Sequence, residues 1–350
     1  MQLPARKFEA TPAVRSHVPL LVGLTGPSGS GKTFTALRLA TGIQTVTGGD
    51  IYFIDTESKR ALHYADRFNF KHVPFEAPFG STDYLEALQF CVGQGAGVVI
   101  VDSMSHEHEG PGGMVDLHDA ILDRMAGDDW KKRNAMTMLA WSEPKQKRRR
   151  LINGILQLNA NFIFCFRAKN TSKPVKGSDG KSTVEQMGFM PIAGEEFVYE
   201  QTLNALLLPG AKGVPTWFPD GIGERTMVKL PEQFAGLAKI KKPLGENVGR
   251  HLALWAAGET PTMGSDGDGP EEVERGEGHS GSEEGDESPS AIKARDLIAK
   301  AEAVGDVEAL DALDVEAKPH LEFMAEDWAA RVCAALDSAQ TRLTSDKKGK

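Results

Sequence analysis

The sequence predicts an α/β protein: a mostly parallel sheet flanked by helices, followed by an acidic linker and a small C-terminal helical module. Three observations lead to this fold class. A glycine-rich motif lies between an apolar run and a helix-forming run, strand-like runs alternate with helical segments as far as residue 258, and the composition changes sharply after that point. Such alternation is typical of parallel sheets covered by helices. A chain of 350 residues is long enough for one large core and a small second module.

The strand-like runs and the helical segments follow one another along the first 258 residues. The predicted strands are Leu20–Leu24, Ile51–Asp55, Lys71–Pro74, Val98–Asp102, Asn161–Phe166 and Leu203–Leu208. The predicted helices between them are Lys32–Ala40, Arg60–Phe68, Asp83–Gln94, Val115–Met125 and Pro144–Leu158. Beyond the last strand, the sequence indicates short β-like pieces at Thr216–Phe218 and Met227–Leu230 and a closing helix at Glu246–Ala257.

Composition divides the chain into five parts. They are an N-terminal extension (1–15), the α/β domain (16–258), an acidic linker (259–290), a helical module (291–343) and a basic tail (344–350). We expect the linker to be disordered, because its Gly, Ser, Asp and Glu residues cannot bury enough apolar surface to offset the entropy of ordering. The module carries apolar residues at helical spacing, which predicts a helical hairpin or three helices.

The net charge of −9 lies in the linker. Gly264–Ser290 holds ten acidic residues and one arginine, whereas the rest of the chain holds 39 acidic and 39 basic residues. The acidic balance is therefore no argument against a nucleic-acid-binding surface on the α/β domain. The three cysteines are scattered without metal spacing, and no apolar run approaches the length of a membrane span. We therefore expect a cytoplasmic protein without a membrane partner.

The glycine-rich motif has the spacing of a P-loop, G-x-x-x-x-G-K-T, in the strand–loop–helix context that a P-loop requires. Its candidate nucleotide-binding residues are Gly26, Pro27, Ser28, Gly29, Ser30, Gly31, Lys32 and Thr33. The glycines allow a tight turn that brings backbone N–H groups onto phosphate oxygens. We expect Lys32 to reach the β- and γ-phosphates and the Thr33 hydroxyl to hold Mg²⁺. The motif thus predicts ATP and Mg²⁺ as cofactors.

Two acidic residues are candidates to complete this site. Asp102 ends the apolar run Val98–Asp102, a Walker B pattern that would help to hold Mg²⁺. Glu57 follows the strand Ile51–Asp55, where its carboxylate could polarise the attacking water; the alternative is a helix-start acid next to Ser58. Ligands of open parallel sheets bind at the carboxyl ends of the strands, where both acids and the P-loop are predicted to lie.

The motifs GPSGSGKT, IDTE and VVIVDS, in this order, resemble those of RecA-like recombination ATPases, and the surrounding segments are similar to phage-encoded, RecA-like AAA ATPases. The resemblance covers about residues 8–240. It implies a RecA-like P-loop NTPase fold, a homo-oligomer, and Glu57 as the residue that activates water. The family's polar glutamine after the strand at Asn161–Phe166 is missing, and Arg167 is the nearest group able to sense a γ-phosphate. The candidate catalytic residues are Lys32, Glu57, Asp102 and Arg167.

Two basic segments are candidate DNA contacts. Residues 145–150 open a predicted helix, where a basic run opposes the helix dipole and Arg148, on the inner side, could reach phosphate. Residues 169–181 are expected to form a flexible basic loop, at the place where RecA-like proteins carry a DNA-contacting loop. The candidate DNA-binding residues are Arg148, Lys169, Lys173, Lys176 and Lys181. A solvated charged face and a plain surface loop are the respective alternatives.

The leading hypothesis is a Mg·ATP-hydrolysing, RecA-like ATPase that acts on single-stranded DNA in phage-type recombination, annealing or repair, in the host cytoplasm if it is phage-encoded. The alternative is a nucleotide-dependent switch with weak hydrolysis that regulates a protein partner through its C-terminal helices. A small-molecule P-loop kinase is a third, weaker hypothesis, because IDTE and VDS together argue against it. Residues 291–343 are either a module that binds an annealing or recombination protein or, with the linker, a solubility tail.

Overall fold

The computed structural model describes residue 10 and residues 12–176, 182–260, 289–321 and 326–346. These residues form two compact units, one built around a sheet and one built from three C-terminal helices. Most of the acidic linker and the ends of the chain lie outside the described residues, so the predicted disorder of the linker stays a prediction. No helix in the described part of the chain has the length and apolar character needed to cross a membrane.

The first unit contains a seven-stranded sheet among its described residues. The strands are β1 (Leu21–Gly26), β2 (Asp50–Asp55), β3 (Lys71–Pro74), β4 (Ala96–Asp102), β5 (Asn161–Lys176), β6 (Ser182–Pro191) and β7 (Leu203–Leu206). Their order is β3-β2-β4-β5-β1-β7, all pairs in this row are parallel, and β6 pairs antiparallel with the far part of β5. The predicted fold class, a mostly parallel sheet flanked by helices with a helical C-terminal part, is confirmed.

Helices cover both faces of this sheet. The helices of the first unit are α1 (Lys32–Thr47), α2 (Ser81–Gly93), α3 (His106–Glu109), α4 (Met114–Ala126), α5 (Trp130–Ala140), α6 (Ser142–Ile155), α7 (Glu195–Glu200), α8 (Ile222–Met227) and α9 (Glu246–Ala256), with short 3₁₀ helices at Arg60–Tyr64 and Glu232–Lys239. Alternate residues of a strand point to opposite faces. Phe162, Phe164 and Phe166 of β5 pack with α2 and α6, whereas α1 packs against the other face.

Several segments differ from the predicted elements. The helix predicted at Arg60–Phe68 is only the 3₁₀ turn Arg60–Tyr64. Between His106 and Glu143, the predicted helix Val115–Met125 is present as α4, and α3, α5 and the start of α6 accompany it. The β-like pieces after β7 are reduced to single bridges, one joining Leu206 to Thr216 and the other joining Asn204 to Lys229.

The prediction of a flexible basic loop is wrong for residues 169–176. Strand β5 does not stop at Phe166 but continues to Lys176 and pairs with β6, from Ala168 opposite Pro191 to Lys176 opposite Ser182. The antiparallel ladder gives this polar segment partners for its backbone groups, which single-sequence composition does not show. Residues 177–181, with the candidate Lys181, lie outside the described residues.

The second unit consists of α10 (Pro289–Ala303), α11 (Val307–Leu321) and α12 (Glu326–Asp346). Its core joins residues of all three helices at helical spacing. The buried members are Ala294, Leu297, Ala301, Leu310, Leu313, Ala317, Trp328, Val332, Leu336 and Ala339. A separate apolar core of this kind is what allows a short segment to fold beside a larger one.

Helices α1 and α9 approach each other through glycines. A Cβ atom on Gly42 of α1 would overlap the backbone carbonyl of Glu246, and one on Gly249 of α9 would overlap the carbonyl of Leu39. Both obstacles are backbone atoms, so a rotamer change cannot relieve them. The contact fixes α1, the helix that follows the P-loop, against the rest of the unit.

We expect Gly42→Ala to lower the free energy of unfolding of the first unit by about 1–3 kcal/mol, because the added methyl group forces α1 and α9 apart. The matched control is Gly93→Ala at the end of α2, where a Cβ atom meets no atom within 4 Å and helix propensity favours alanine by about 1 kcal/mol. Urea unfolding followed by circular dichroism measures both. Equal stability of the two variants would contradict the close contact.

Candidate functional site

The parallel register brings the predicted site residues to one edge of the sheet. Gly26, at the end of β1, stands opposite Arg167 of β5, and Asp102, at the end of β4, stands opposite both Cys165 of β5 and Asp55 of β2. The P-loop follows β1 directly and Glu57 comes two residues after β2. Four segments that are far apart in the sequence therefore meet at the carboxyl ends of adjacent strands.

The P-loop turns from β1 into α1 with Gly31 as the N-cap residue, and its φ of 97° is in the left-handed region that favours glycine. The Lys32 ammonium donates hydrogen bonds to the carbonyl oxygens of Gly26 and Pro27, both at 2.8 Å. Burial lowers the pKa of Lys32, although the nearby Asp102 and Glu57 act in the opposite direction. The loop thus holds a desolvated cation beside the first backbone N–H groups of a helix, which is an anion-binding arrangement.

Thr33 and Asp102 are in direct contact. The Thr33 hydroxyl donates a hydrogen bond of 2.5 Å to the Asp102 carboxylate. Burial raises the pKa of Asp102 to about 6, even though the hydrogen bond from Thr33 lowers it. Mg²⁺ in nucleotide sites is commonly held by one or two oxygen side chains together with phosphate oxygens. A hydroxyl and a buried carboxylate side by side fit that requirement.

Glu57 is held by two arginines. Arg167 contacts Oε1 of Glu57 with Nε at 2.8 Å and Nη2 at 2.6 Å, and Arg60 donates to the other carboxylate oxygen. Burial alone would raise the pKa of Glu57, but the hydrogen bonds and charges of Arg167 and Arg60 outweigh it and hold the pKa below its ordinary value. The Glu57 side chain is therefore ionised, and both of its oxygens accept hydrogen bonds.

Asp55 fixes the turn that carries Glu57 and Arg60. One of its buried carboxylate oxygens accepts from the backbone N–H of Glu57 at 2.8 Å, and the other accepts from the N–H of Ala61 at 3.1 Å. His72 Nε2 lies 3.0 Å from the second oxygen. The two N–H contacts constrain the backbone at Glu57 and at Ala61, on either side of Arg60. The orientation of the turn therefore does not depend on the turn residues alone.

The residues of these four segments surround one cavity of about 670 Å³. Its walls also include side chains that the sequence analysis did not single out: Arg60, His63 and Tyr64 on the 3₁₀ turn and Phe34 on α1. Phe34 and Tyr64 lie with their ring centroids 5.8 Å apart. In the sequence, only their positions pointed to these residues: Phe34 comes one residue after Thr33, and the other three come three to seven residues after Glu57. The lining residues are Ser28, Gly29, Gly31, Lys32, Thr33, Phe34, Glu57, Arg60, His63, Tyr64, Asp102, Glu109, Arg167, Ala168 and Ile192.

Arg148 is not available to contact DNA, which corrects that expectation. Its side chain is 6% exposed and forms a buried ion pair with Glu107, with Nη2 at 2.6 Å from Oε2. The same Nη2 lies 3.0 Å from Nδ1 of His108. Because the guanidinium is both covered and neutralised, it holds α3 against α6 and does not face solvent.

The lysines of the β5–β6 hairpin lie on the surface as far as they are described. The Lys169 side chain is 63% exposed, with its nearest acidic partner, Glu109, at 3.8 Å. Lys173 is also exposed, and it stands opposite Glu185 across the hairpin. Lys176 is the last described residue of β5. The hairpin begins at Arg167, so these lysines belong to the same strand as a residue of the cavity wall.

No protein-family model matches the chain, and no curated protein matches it. Solved structures do match. One of them is a KaiC-like protein, PH0186, from the hyperthermophilic archaeon Pyrococcus horikoshii OT3, with 13% sequence identity over 51% of this chain and 89% of that protein, at a TM-score of 0.25. A similarity of this size carries no conclusion about function. The sheet order and the positions of the P-loop and Asp102 come from the chain's own structure.

We expect Asp102→Asn to stabilise the ligand-free protein at pH 8. Because burial raises the pKa of Asp102 from 3.8 to about 6, the folded state loses stability relative to the unfolded state as the pH rises from 3.8 to 6, and the loss is complete above pH 6. The amide removes this cost, worth about 1–2 kcal/mol, and the difference shrinks as the pH falls through 6. Urea unfolding in the presence of a chelator, at pH 8 and pH 5, measures it. Asp128→Asn at an exposed position is the control, and an equal effect of the two variants at pH 8 would contradict the assignment.

Proposed function

We propose that this chain binds Mg·ATP in the cavity between the P-loop, β2, β4 and β5 and hydrolyses it. The observation that supports the proposal is the convergence of Lys32, Thr33, Asp102, Glu57 and Arg167 on that one cavity. A P-loop alone binds phosphate. Hydrolysis also needs a group that organises a metal and a group that positions water, and both kinds of group line the same space.

In this proposal each side chain has one task in the in-line attack of water on the γ-phosphate. Lys32 and the N–H groups at the start of α1 bind the phosphate chain, and Glu57 orients the attacking water. Arg167 stabilises negative charge that develops on the γ-phosphate. Thr33 and Asp102 would hold Mg²⁺, which when bound neutralises phosphate charge. Phe34 and Tyr64 offer an aromatic wall to the base of the nucleotide.

We propose that this ATPase acts on single-stranded DNA, in phage-type recombination, annealing or repair. The proposal rests on the resemblance of the three motifs and on the exposed lysines of the β5–β6 hairpin, since phosphate contacts by lysines do not depend on sequence. The homo-oligomer, the cytoplasmic location and an annealing or recombination protein that binds residues 291–343 belong to the same proposal.

The second candidate is a nucleotide-dependent switch that hydrolyses slowly and regulates a protein partner. One observation favours it: both oxygens of Glu57 are occupied by arginines, and an occupied carboxylate orients water poorly. The two candidates differ in what accelerates turnover. The first requires acceleration by DNA, whereas the second requires a protein partner.

The decisive experiment is steady-state ATP hydrolysis with and without single-stranded DNA. We expect the wild type to hydrolyse ATP faster with DNA, Lys32→Ala to lose turnover, and Glu57→Gln to lose at least about a hundredfold in kcat, the usual range for removing a general base. Persistent turnover in pure Lys32→Ala would overturn the site. Slow wild-type turnover that single-stranded DNA does not accelerate would support the switch instead.

The hairpin has its own test. Lys169→Ala combined with Lys173→Ala should weaken single-stranded DNA binding and lower the slope of log affinity against log salt by about one to two, because two phosphate contacts are lost. The control is Lys131→Ala combined with Lys132→Ala on α5, which removes the same charge from an exposed helix elsewhere. Fluorescence anisotropy at several salt concentrations measures both. An equal loss in the two double variants would remove the hairpin from the proposed DNA site.

A further inference from the structure

Glu57 makes two strong contacts that compete with the role proposed for it. Its side chain is 12% exposed, and guanidinium groups from two different elements bind its two oxygens, Arg167 from β5 and Arg60 from the 3₁₀ turn. Hydrogen bonds between ionised partners are short and strong. A carboxylate in this state has few acceptor positions left for a water molecule.

The two arginines also face the cavity in which a nucleotide would lie. Arg167 is 40% exposed and Arg60 is 62% exposed, and both line the same cavity as Lys32 and Thr33. Long side chains of this exposure can move between partners at small cost. The γ-phosphate of ATP carries more charge than a carboxylate and offers three oxygens, so it competes with Glu57 for both guanidiniums.

We propose that Arg60 and Arg167 exchange Glu57 for the γ-phosphate, so that binding of ATP, and not of ADP, frees the Glu57 carboxylate to orient water. This inference rests on the proposed ATPase function and deepens it. Arg60 would contact the γ-phosphate directly, although nothing in the P-loop motifs singles it out. The exchange transfers no covalent bond and no proton: two ion pairs to a carboxylate are replaced by two ion pairs to a phosphate.

The exchange has a thermodynamic consequence that is independent of catalysis. In the wild type, the cost of breaking the two ion pairs to Glu57 reduces the affinity for ATP, whereas ADP does not bear this cost. Replacing Glu57 by the neutral, nearly isosteric glutamine weakens the competing pairs. The ratio of ATP affinity to ADP affinity must then rise, and the rise must depend on Arg60.

The test is equilibrium binding of ADP and of a non-hydrolysable ATP analogue, each with Mg²⁺, to wild type, Glu57→Gln, Arg60→Met and the double variant. We expect Glu57→Gln to bind the analogue roughly five- to tenfold more tightly, with ADP affinity unchanged within about twofold, as expected for the loss of one to two partly exposed ion pairs. Arg60→Met in the Glu57→Gln background should remove most of that gain.

The control is Arg124→Met, which removes a guanidinium at an exposed position of α4 outside the cavity and should leave both affinities unchanged. An unchanged ratio of analogue to ADP affinity in Glu57→Gln overturns the exchange. So does a gain that survives Arg60→Met in the Glu57→Gln background. The proposed function fails differently: it fails if the wild type binds neither nucleotide or if Lys32→Ala still hydrolyses ATP.

Discussion

The hydrogen-bond ladder that places β5 between β1 and β4 is the constraint on which the site depends. Gly26 and Asp102 belong to strands that do not touch, and β5 sets the distance between them through its register with both. A shift of one residue in that register would turn Phe162, Phe164 and Phe166 away from the core they share with α2 and α6. The apolar core therefore protects the geometry of a polar site that contributes little to stability by itself.

The site concentrates charge at a point where water is partly excluded. Lys32 and Asp102 are almost fully buried, and burial shifts both of their pKa values towards the neutral form. Folded proteins usually retain such groups because function requires them, and the rest of the fold supplies the compensating stability. Here the compensation includes the closely packed α1–α9 pair behind the P-loop.

Much of the sheet could be predicted from the sequence, because β1, β2 and β4 are apolar runs that end at a glycine or an acid, and this also located Lys32, Glu57 and Asp102. The hairpin could not be predicted, because residues 168–176 are mostly polar and include Pro174, and their strand conformation depends on pairing with β6. The burial of Arg148 depends on Glu107, a residue 41 positions earlier in the chain, which helical spacing within α6 cannot reveal. Arg60 was missed because the sequence predicts a regular helix from that residue onwards, whereas Asp55, at the end of β2, holds the backbone at Glu57 and Ala61 in a tight turn that places Arg60 beside Glu57.

The continuity of β5 has a mechanical consequence. Its 16 residues run from the centre of the sheet, past Arg167, into the hairpin, with one shift in the pairing register between Thr171 and Ser172, and a strand of that length spans about 50 Å when extended. The buried half is clamped by neighbours on both sides, whereas the outer half is paired only along β6 in the part of the chain that the structure describes. By geometry alone, a rotation of β5 at the wall of the cavity would displace the outer end of the strand further than it displaces Arg167.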